Sequence, residues 1–147
     1  MQEGGASVIE LGMPYTDPQA DGTTIQTTNQ VAIKGGTSTV DQVLSMVAAA
    51  RSQGLTVPVV LMGYFNPLYQ YGVDKLCEKS KKMGVDGFIV VDLPPSEGRS
   101  LQAACSQHGL SNIPLVAPTS SDTRLEALAQ TASSFLYCVS VTGVTGA

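Results

Sequence analysis

Glu10 and Asp21 are the residues best placed to move or hold a proton, and both fall in one short stretch, ELGMPYTDPQADG, from Glu10 to Gly22. Ala6-Ser7-Val8-Ile9 lead into it as an apolar run, so Glu10 is expected at the tip of a buried strand. A buried carboxylate without a partner is costly, so packing alone does not explain an acid there. Burial would instead raise its pKa toward the range useful for proton transfer. After Glu10 the residues are loop formers: Gly12, Pro14, Asp17, Pro18, Asp21 and Gly22. A surface strand end for Glu10 and a simple Asp-Gly turn for Asp21 are the bland alternatives.

The elements that must position these acids follow a repeating pattern. Thr24 to Lys34 reads as a short helix ended by Gly35-Gly36. Thr39 and Gln42 have capping-box spacing, and Val40, Val43, Leu44, Val47 and Ala48 make one apolar stripe behind them. Gly54 stands where a left-handed cap belongs. Val57 to Met62 is a β-branched run without alternation, as in a strand covered on both faces. Gly63 to Pro67 reads as a loop, Tyr71 to Met83 as a helix stopped by Gly84, and Gly87 to Val91 as a strand ending before Asp92. Pro94-Pro95 make a turn. Arg99 to His108 is a helix ending at Gly109, Ile113 to Ala117 a strand, Asp122 to Gln130 a helix capped by Asp122, and Phe135 to Ser140 a strand. Such alternation predicts a parallel α/β sheet of about five strands with right-handed crossovers. Glu10, Tyr64, Asp92, Thr119 and Ser140 fall just after strands, where open α/β sheets and barrels both carry their sites.

Composition narrows the function. With 147 residues the chain has the length of one domain, and 43% hydrophobic against 14% charged residues makes it globular. A net charge of −4 argues against a nucleic-acid backbone as partner. No apolar run approaches the roughly 20 residues of a membrane span, and the N-terminus has no secretory pattern. Cys77, Cys105 and Cys138 lack metal or disulfide spacing and read as reduced, mostly buried thiols of a cytoplasmic protein. His108, at a helix end before Gly109, is explained by the helix dipole.

The stretch from Glu10 through Gln26 also resembles the tryptophan synthase alpha subunit, whose pattern it follows with Thr23 in place of the more usual Pro or Ala. That resemblance implies a (β/α)8 TIM barrel. A barrel takes about 250 residues, so the chain is expected to be an incomplete alpha domain over 1–147: strands two to six, without the first βα unit and the last two. Met1 would then not be the biological start, and Gly4-Gly5 would close a preceding helix. The implied reaction belongs to tryptophan biosynthesis: retro-aldol cleavage of indole-3-glycerol phosphate to indole and glyceraldehyde 3-phosphate, a carbon–carbon lyase step. Glu10 matches the family's acid/base residue and Asp21 the carboxylate at the indole nitrogen. Met62, Tyr64, Ile89 and Tyr137 match substrate-pocket positions, and Thr145 and Gly146 match the loop that closes the site and holds phosphate.

Pro14, Asp17, Pro18, Asn66 and Pro94 match the interface with a beta subunit or fused beta domain. Asp92 matches a residue tuning coupling between subunits, with helix capping as its plainer role. The chain departs from the family at Val141-Thr142, where Arg or Lys often follows the strand's serine. Pyridoxal phosphate is expected in the beta partner, with no cofactor or metal in this segment, and the 147 residues alone are expected to be inactive. Two other readings stand beside this one. A different phosphosugar barrel enzyme would want His and Asp metal ligands at strand ends, and a non-catalytic fragment would bind a partner through the loop from Pro14 to Asp21.

Overall fold

Val59, Val60 and Leu61 are buried on both faces of their strand, as are all residues of the next, Gly87 to Val90, and these two strands form the centre of the molecule. The computed structural model describes residues 1–94, 96–140 and 143. In chain order its elements are β1 (Ile9–Gly12), α1 (Thr23–Lys34), α2 (Val40–Ser52), β2 (Val59–Gly63), α3 (Phe65–Tyr71), α4 (Val73–Met83), β3 (Gly87–Val90), α5 (Arg99–His108), β4 (Ser111–Asn112), β5 (Leu115–Val116), α6 (Asp122–Thr131) and β6 (Tyr137–Cys138). A four-stranded parallel sheet runs β1-β2-β3-β4, and β5 pairs with β6 in a second parallel sheet of two strands. Glu10 lies opposite Val60, and Val60 opposite Gly87.

Strand alternation gives the sheet two apolar faces. Val59, Leu61, Phe88 and Val90 point into a helix-side core with Val43, Leu44 and Val47 of α2, Leu76 and Cys77 of α4, and Leu101 and Cys105 of α5. Val60, Ile89 and Ile113 occupy the other face, with Met62, Leu115 and Tyr137 packed on them. Glu10, one residue out of phase with Ile9 and Leu11 on the helix side, belongs to this second face.

The helix boundaries show local chemistry at work. Thr39 and Gln42 form the expected capping box, Thr39 Oγ1 accepting from the Gln42 N–H and Gln42 Oε1 accepting from the Thr39 N–H. Gly84 and Gly109 end α4 and α5 in the left-handed conformation, at φ 88° and 64°. No helix among the described residues is long and apolar enough to cross a membrane.

Several expectations need correction. Residues 65–67, read as loop, open α3 instead. Pro67 is tolerated because N–H groups of a first helical turn have no partner within the helix. The strand expected over 113–117 is reduced to β5 at Leu115–Val116, and β4 precedes it at Ser111–Asn112. Pro114 cannot donate to a ladder, so β4 stays with β3 while β5 leaves for β6. Ser121, not Asp122, caps α6, its Oγ accepting from the Arg124 N–H. β2 and β6 also begin two residues later than predicted, at Val59 and Tyr137.

Gly87 is a steric requirement of the sheet. A Cβ there would stand 2.6 Å from the Ser111 carbonyl oxygen and 2.8 Å from Ser111 Cβ, across the β3–β4 pair. Gly87→Ala should therefore force the strands apart and lower stability by about 2 kcal/mol, read as a shift in the urea midpoint. An unchanged midpoint would show that β4 is not held against β3.

Candidate active site

The loop after β1 is fixed by backbone and side-chain bonds that converge on Tyr64. Met13 donates its N–H to the Met62 carbonyl, carrying the ladder one residue past β1. The Tyr15 N–H then donates to Asn29 Oδ1 on α1 at 3.0 Å. A turn follows, with the Gln19 N–H on the Asp17 carbonyl and the Asp21 N–H on the Pro18 carbonyl. Tyr64 stands at the end of β2, 5% exposed, and its hydroxyl accepts from the Ala20 N–H at 2.9 Å while donating to Asp21 Oδ2 at 2.8 Å. Its ring packs against Tyr15 with centroids 5.2 Å apart.

Burial first, and the Asp21 carboxylate second, push the Tyr64 hydroxyl to about 12, so it stays protonated and remains a donor to Asp21 at neutral pH. Gln26 Nε2 holds the Asp21 carbonyl oxygen at 2.8 Å. Asp21 Oδ1 has no hydrogen-bond partner among the described residues, which leaves that half-buried carboxylate one oxygen for an external N–H.

Glu10 does not sit as predicted. It lies inside β1, not at its tip, and it is exposed because β1 is an edge strand with a neighbour on one side only. The burial that remains still raises its carboxyl above the ordinary value. Tyr137 packs on the same apolar face. Its hydroxyl is raised mainly by burial and further by the charge of Glu10. Met62 and Ile89 share this face. The structure thus gathers Glu10, Met62, Ile89 and Tyr137 on one side of the sheet and joins Asp21 to Tyr64 above its C-terminal edge. Thr145 and Gly146 lie outside the described residues.

The residues matched to a partner interface follow strands on the same edge of the parallel sheet. Asp17, Asn66 and Pro94 are exposed, Pro14 and Pro18 half-buried. Asn66 Nδ2 donates to the Tyr15 hydroxyl at 3.3 Å. Asp92 makes a capping contact: Oδ1 accepts the Phe65 N–H at 2.7 Å, at the start of α3 and across the sheet. His108 ends α5, as the dipole reading requires, with Nε2 3.0 Å from Asp74 Oδ1. Sequence reasoning missed Asn29 and Ala20 as loop anchors. An Asn inside a helix and an Ala in a loop carry no signal of their own.

Two hollows open beside this edge. One of about 340 Å3 lies under Asp92 and Pro94, between Gln102, Ile113 and Arg124. The other, about 390 Å3, lies behind Pro14 and Tyr15, against Thr39 and Tyr71. Glu10 and Asp21 line neither of them.

Parallel strands joined by helices, with acids and tyrosines grouped past the strands' C-terminal ends, define a barrel-type α/β protein, and the present chain forms part of such a (β/α)8 barrel. It belongs to the tryptophan synthase alpha chain family, whose model matches residues 1–147. The alpha chain of Halalkalibacterium halodurans is 49% identical over 146 residues, covering 99% of this chain and 54% of that one. The tryptophan synthase of Saccharomyces cerevisiae is 51% identical over 145 residues, 99% of this chain and 20% of the yeast protein. Among solved structures, the alpha subunit of Legionella pneumophila superposes with a TM-score of 0.89 at 41% identity, over 95% of this chain and 53% of that one. Tryptophan synthase of Mycobacterium tuberculosis gives 0.90 at 39% identity, over 99% and 55%. The chain spans about half the length of the bacterial alpha chains it matches.

Proposed function

We propose that this chain carries the carbon–carbon lyase chemistry of tryptophan biosynthesis, cleaving indole-3-glycerol phosphate to indole and glyceraldehyde 3-phosphate. Cleavage needs a proton delivered to the ring carbon, a proton taken from the glycerol hydroxyl, and a stabilised charge on the ring. Glu10, with a raised carboxyl pKa, exchanges the protons. Asp21 receives the indole N–H on Oδ1 and steadies the positive ring. Met62 and Ile89 flank the ring, Tyr137 lies beside Glu10, and Thr145 and Gly146 serve the phosphate end. The observation that carries this reading is the Asp21 carboxylate, fixed by Tyr64 on one oxygen and, among the described residues, unpartnered on the other.

The proposed partner is a tryptophan synthase beta subunit, separate or fused, meeting Pro14, Asp17, Pro18, Asn66 and Pro94 in the cytoplasm. The chain's lysines stand on α1 and α4. Lys79 and Lys82 pair with Asp41 and Glu78, Lys81 holds the Gly109 carbonyl, Lys75 lies over the Tyr71 ring, and Lys34 is exposed in the last turn of α1. Pyridoxal phosphate is assigned in this reading to the beta partner.

The test is indole release from indole-3-glycerol phosphate, measured on the 147-residue chain and on the chain extended to the length of its relatives. The extended chain should release indole. The 147 residues alone should show no measurable turnover, because Glu10 is exposed on an edge strand and neither hollow at this edge takes in Glu10 or Asp21. An inactive extended chain would overturn the lyase reading. Robust turnover by the short one would overturn the need for further walls.

Tyr64→Phe isolates the loop anchor. It removes the donor to Asp21 and the acceptor for Ala20 but keeps the ring against Tyr15. In the extended chain kcat/KM should fall about tenfold, the value of one charged hydrogen bond, mainly through KM. An unchanged KM would mean that Asp21 holds its place without Tyr64.

A further inference from the structure

Three cysteines far apart in sequence become one exposed thiol and one buried pair. Cys138 is exposed, whereas Cys77 on α4 and Cys105 on α5 are 0% and 1% exposed with their Sγ atoms 3.9 Å apart. The two helices pack along each other over the helix side of β3, in the same core cluster as Phe88 and Leu101. Thiols in mutual contact need only side-chain rotation and a small closing of the helices to reach bonding distance, and such a pair sits in the path of any oxidant that opens this core.

We propose that Cys77 and Cys105 form an oxidation site, joined by hydrogen peroxide into an intramolecular disulfide that staples α4 to α5. Cys77 is the attacking sulfur. Either sulfur can donate across this contact; with Cys105 as donor it lowers the Cys77 pKa against burial and the nearby Asp74 charge, while the same contact and burial push Cys105 up. The Cys77 thiolate attacks one peroxide oxygen, the O–O bond breaks, and the departing hydroxide becomes water, leaving Cys77 as a sulfenic acid. The Cys105 sulfur then attacks the Cys77 sulfur, the S–O bond breaks, and a second water leaves. Two thiols are oxidised and one peroxide is reduced to two waters.

Access requires opening between α4 and α5, neither of which has a side-chain cap on its first turn. Once formed, the bond closes the segment 77–105, which contains β3 and Asp92, and restrains the unfolded chain.

The experiment treats the purified chain with graded hydrogen peroxide, blocks remaining thiols under denaturing conditions, and maps the products by non-reducing mass spectrometry. The expected main product links the peptide of Cys77 to that of Cys105 within one molecule, is reversed by dithiothreitol, and raises Tm by about 5 °C. It should persist in Cys138→Ser, which removes the exposed thiol. Cys105→Ala, or Cys105→Ser if alanine does not fold, should instead leave Cys77 as a dimedone-reactive sulfenic acid with no rise in Tm. Recovering Cys77 and Cys105 unmodified at a dose that exhausts Cys138 would overturn the proposal. So would links to Cys138 as the main product, or a wild-type Cys77 that over-oxidises as fast as in the Cys105 variant.

Discussion

Glu10→Gln in the extended chain should lower the rate of indole formation by at least about 10²-fold while leaving the fold intact, and Asp21→Asn should do the same. The two losses have different physics. Gln keeps the shape and reach of Glu10 but cannot give or take a proton, so kcat falls with little change in KM. The carboxyl it replaces is raised by partial burial, so Glu10 keeps its proton at pH values where an ordinary glutamate has lost it. The acidic limb of the wild-type pH profile should therefore lie above the usual glutamate range and vanish in Glu10→Gln. Asn at position 21 can still accept the Tyr64 hydroxyl through its amide oxygen, so the loop should hold. What it loses is the negative charge that faces the positive ring, and both kcat and kcat/KM should drop. Steady-state kinetics over pH, with urea unfolding as the control for folding, decides the matter. Near-normal turnover by either variant would remove that residue from the proposed chemistry.

The parts of this molecule that were legible in the sequence are those governed by short-range chemistry. The Thr39–Gln42 capping box, the left-handed stops at Gly84 and Gly109, and the apolar stripe of α2 all depend on residues within a turn or two of one another. The β2 and β3 runs were legible because a strand covered on both faces needs no periodicity, only length and branching. Residues 65–67 failed for a definite reason. Asn66-Pro67 looks like a loop until the neighbouring Asp92 supplies an acceptor for the Phe65 N–H, and that contact crosses the sheet. Pro114 falls in the strand expected over 113–117, but it lies where the chain passes from one sheet to the other.

The site divides along the same line. Glu10 and Asp21 stand out because acids in an apolar strand and a proline-stiffened loop demand a reason. The exposure of Glu10 was not legible, since it depends on which strands border β1. The anchoring of Asp21 was not legible either. Tyr64 was singled out as a pocket residue, but its hydroxyl divides itself between Ala20 and Asp21 through contacts more than 40 residues apart in the chain. Cys77 and Cys105 show the same thing in the core: separate in sequence, touching in space.

Arg51 gives the largest stability effect and had no sequence signal beyond being a base near a helix end. From the last turn of α2 it reaches under the opposite, N-terminal edge of the sheet. Nη1 donates to the Leu55 and Val57 carbonyls at 3.0 and 2.8 Å, and Nε and Nη2 donate to the Gly84 carbonyl. Nη2 also meets Asp86 Oδ2 at 2.7 Å, and that same oxygen accepts the Val59 N–H at 2.8 Å. One guanidinium thus ties the end of α2, the approach to β2, the cap of α4 and the approach to β3. Arg51→Ala takes the side-chain donor from three part-buried carbonyls and from one carboxylate, which keeps only the Val59 N–H. Solvent reaches the site, so each loss is softened and the losses do not add. About 3 kcal/mol of destabilisation is expected, a large share of the roughly 5–15 kcal/mol that holds a domain folded. Lysine cannot repair it, because a single ammonium lacks the planar fork that serves carbonyls on both sides, so Arg51→Lys should recover less than half. Asp86→Asn keeps an acceptor for Val59 and should cost only about 1 kcal/mol. Urea unfolding of the three variants separates a hub from an ordinary surface pair. If Arg51→Ala and Asp86→Asn cost the same, the ion pair alone matters and the carbonyl contacts contribute nothing.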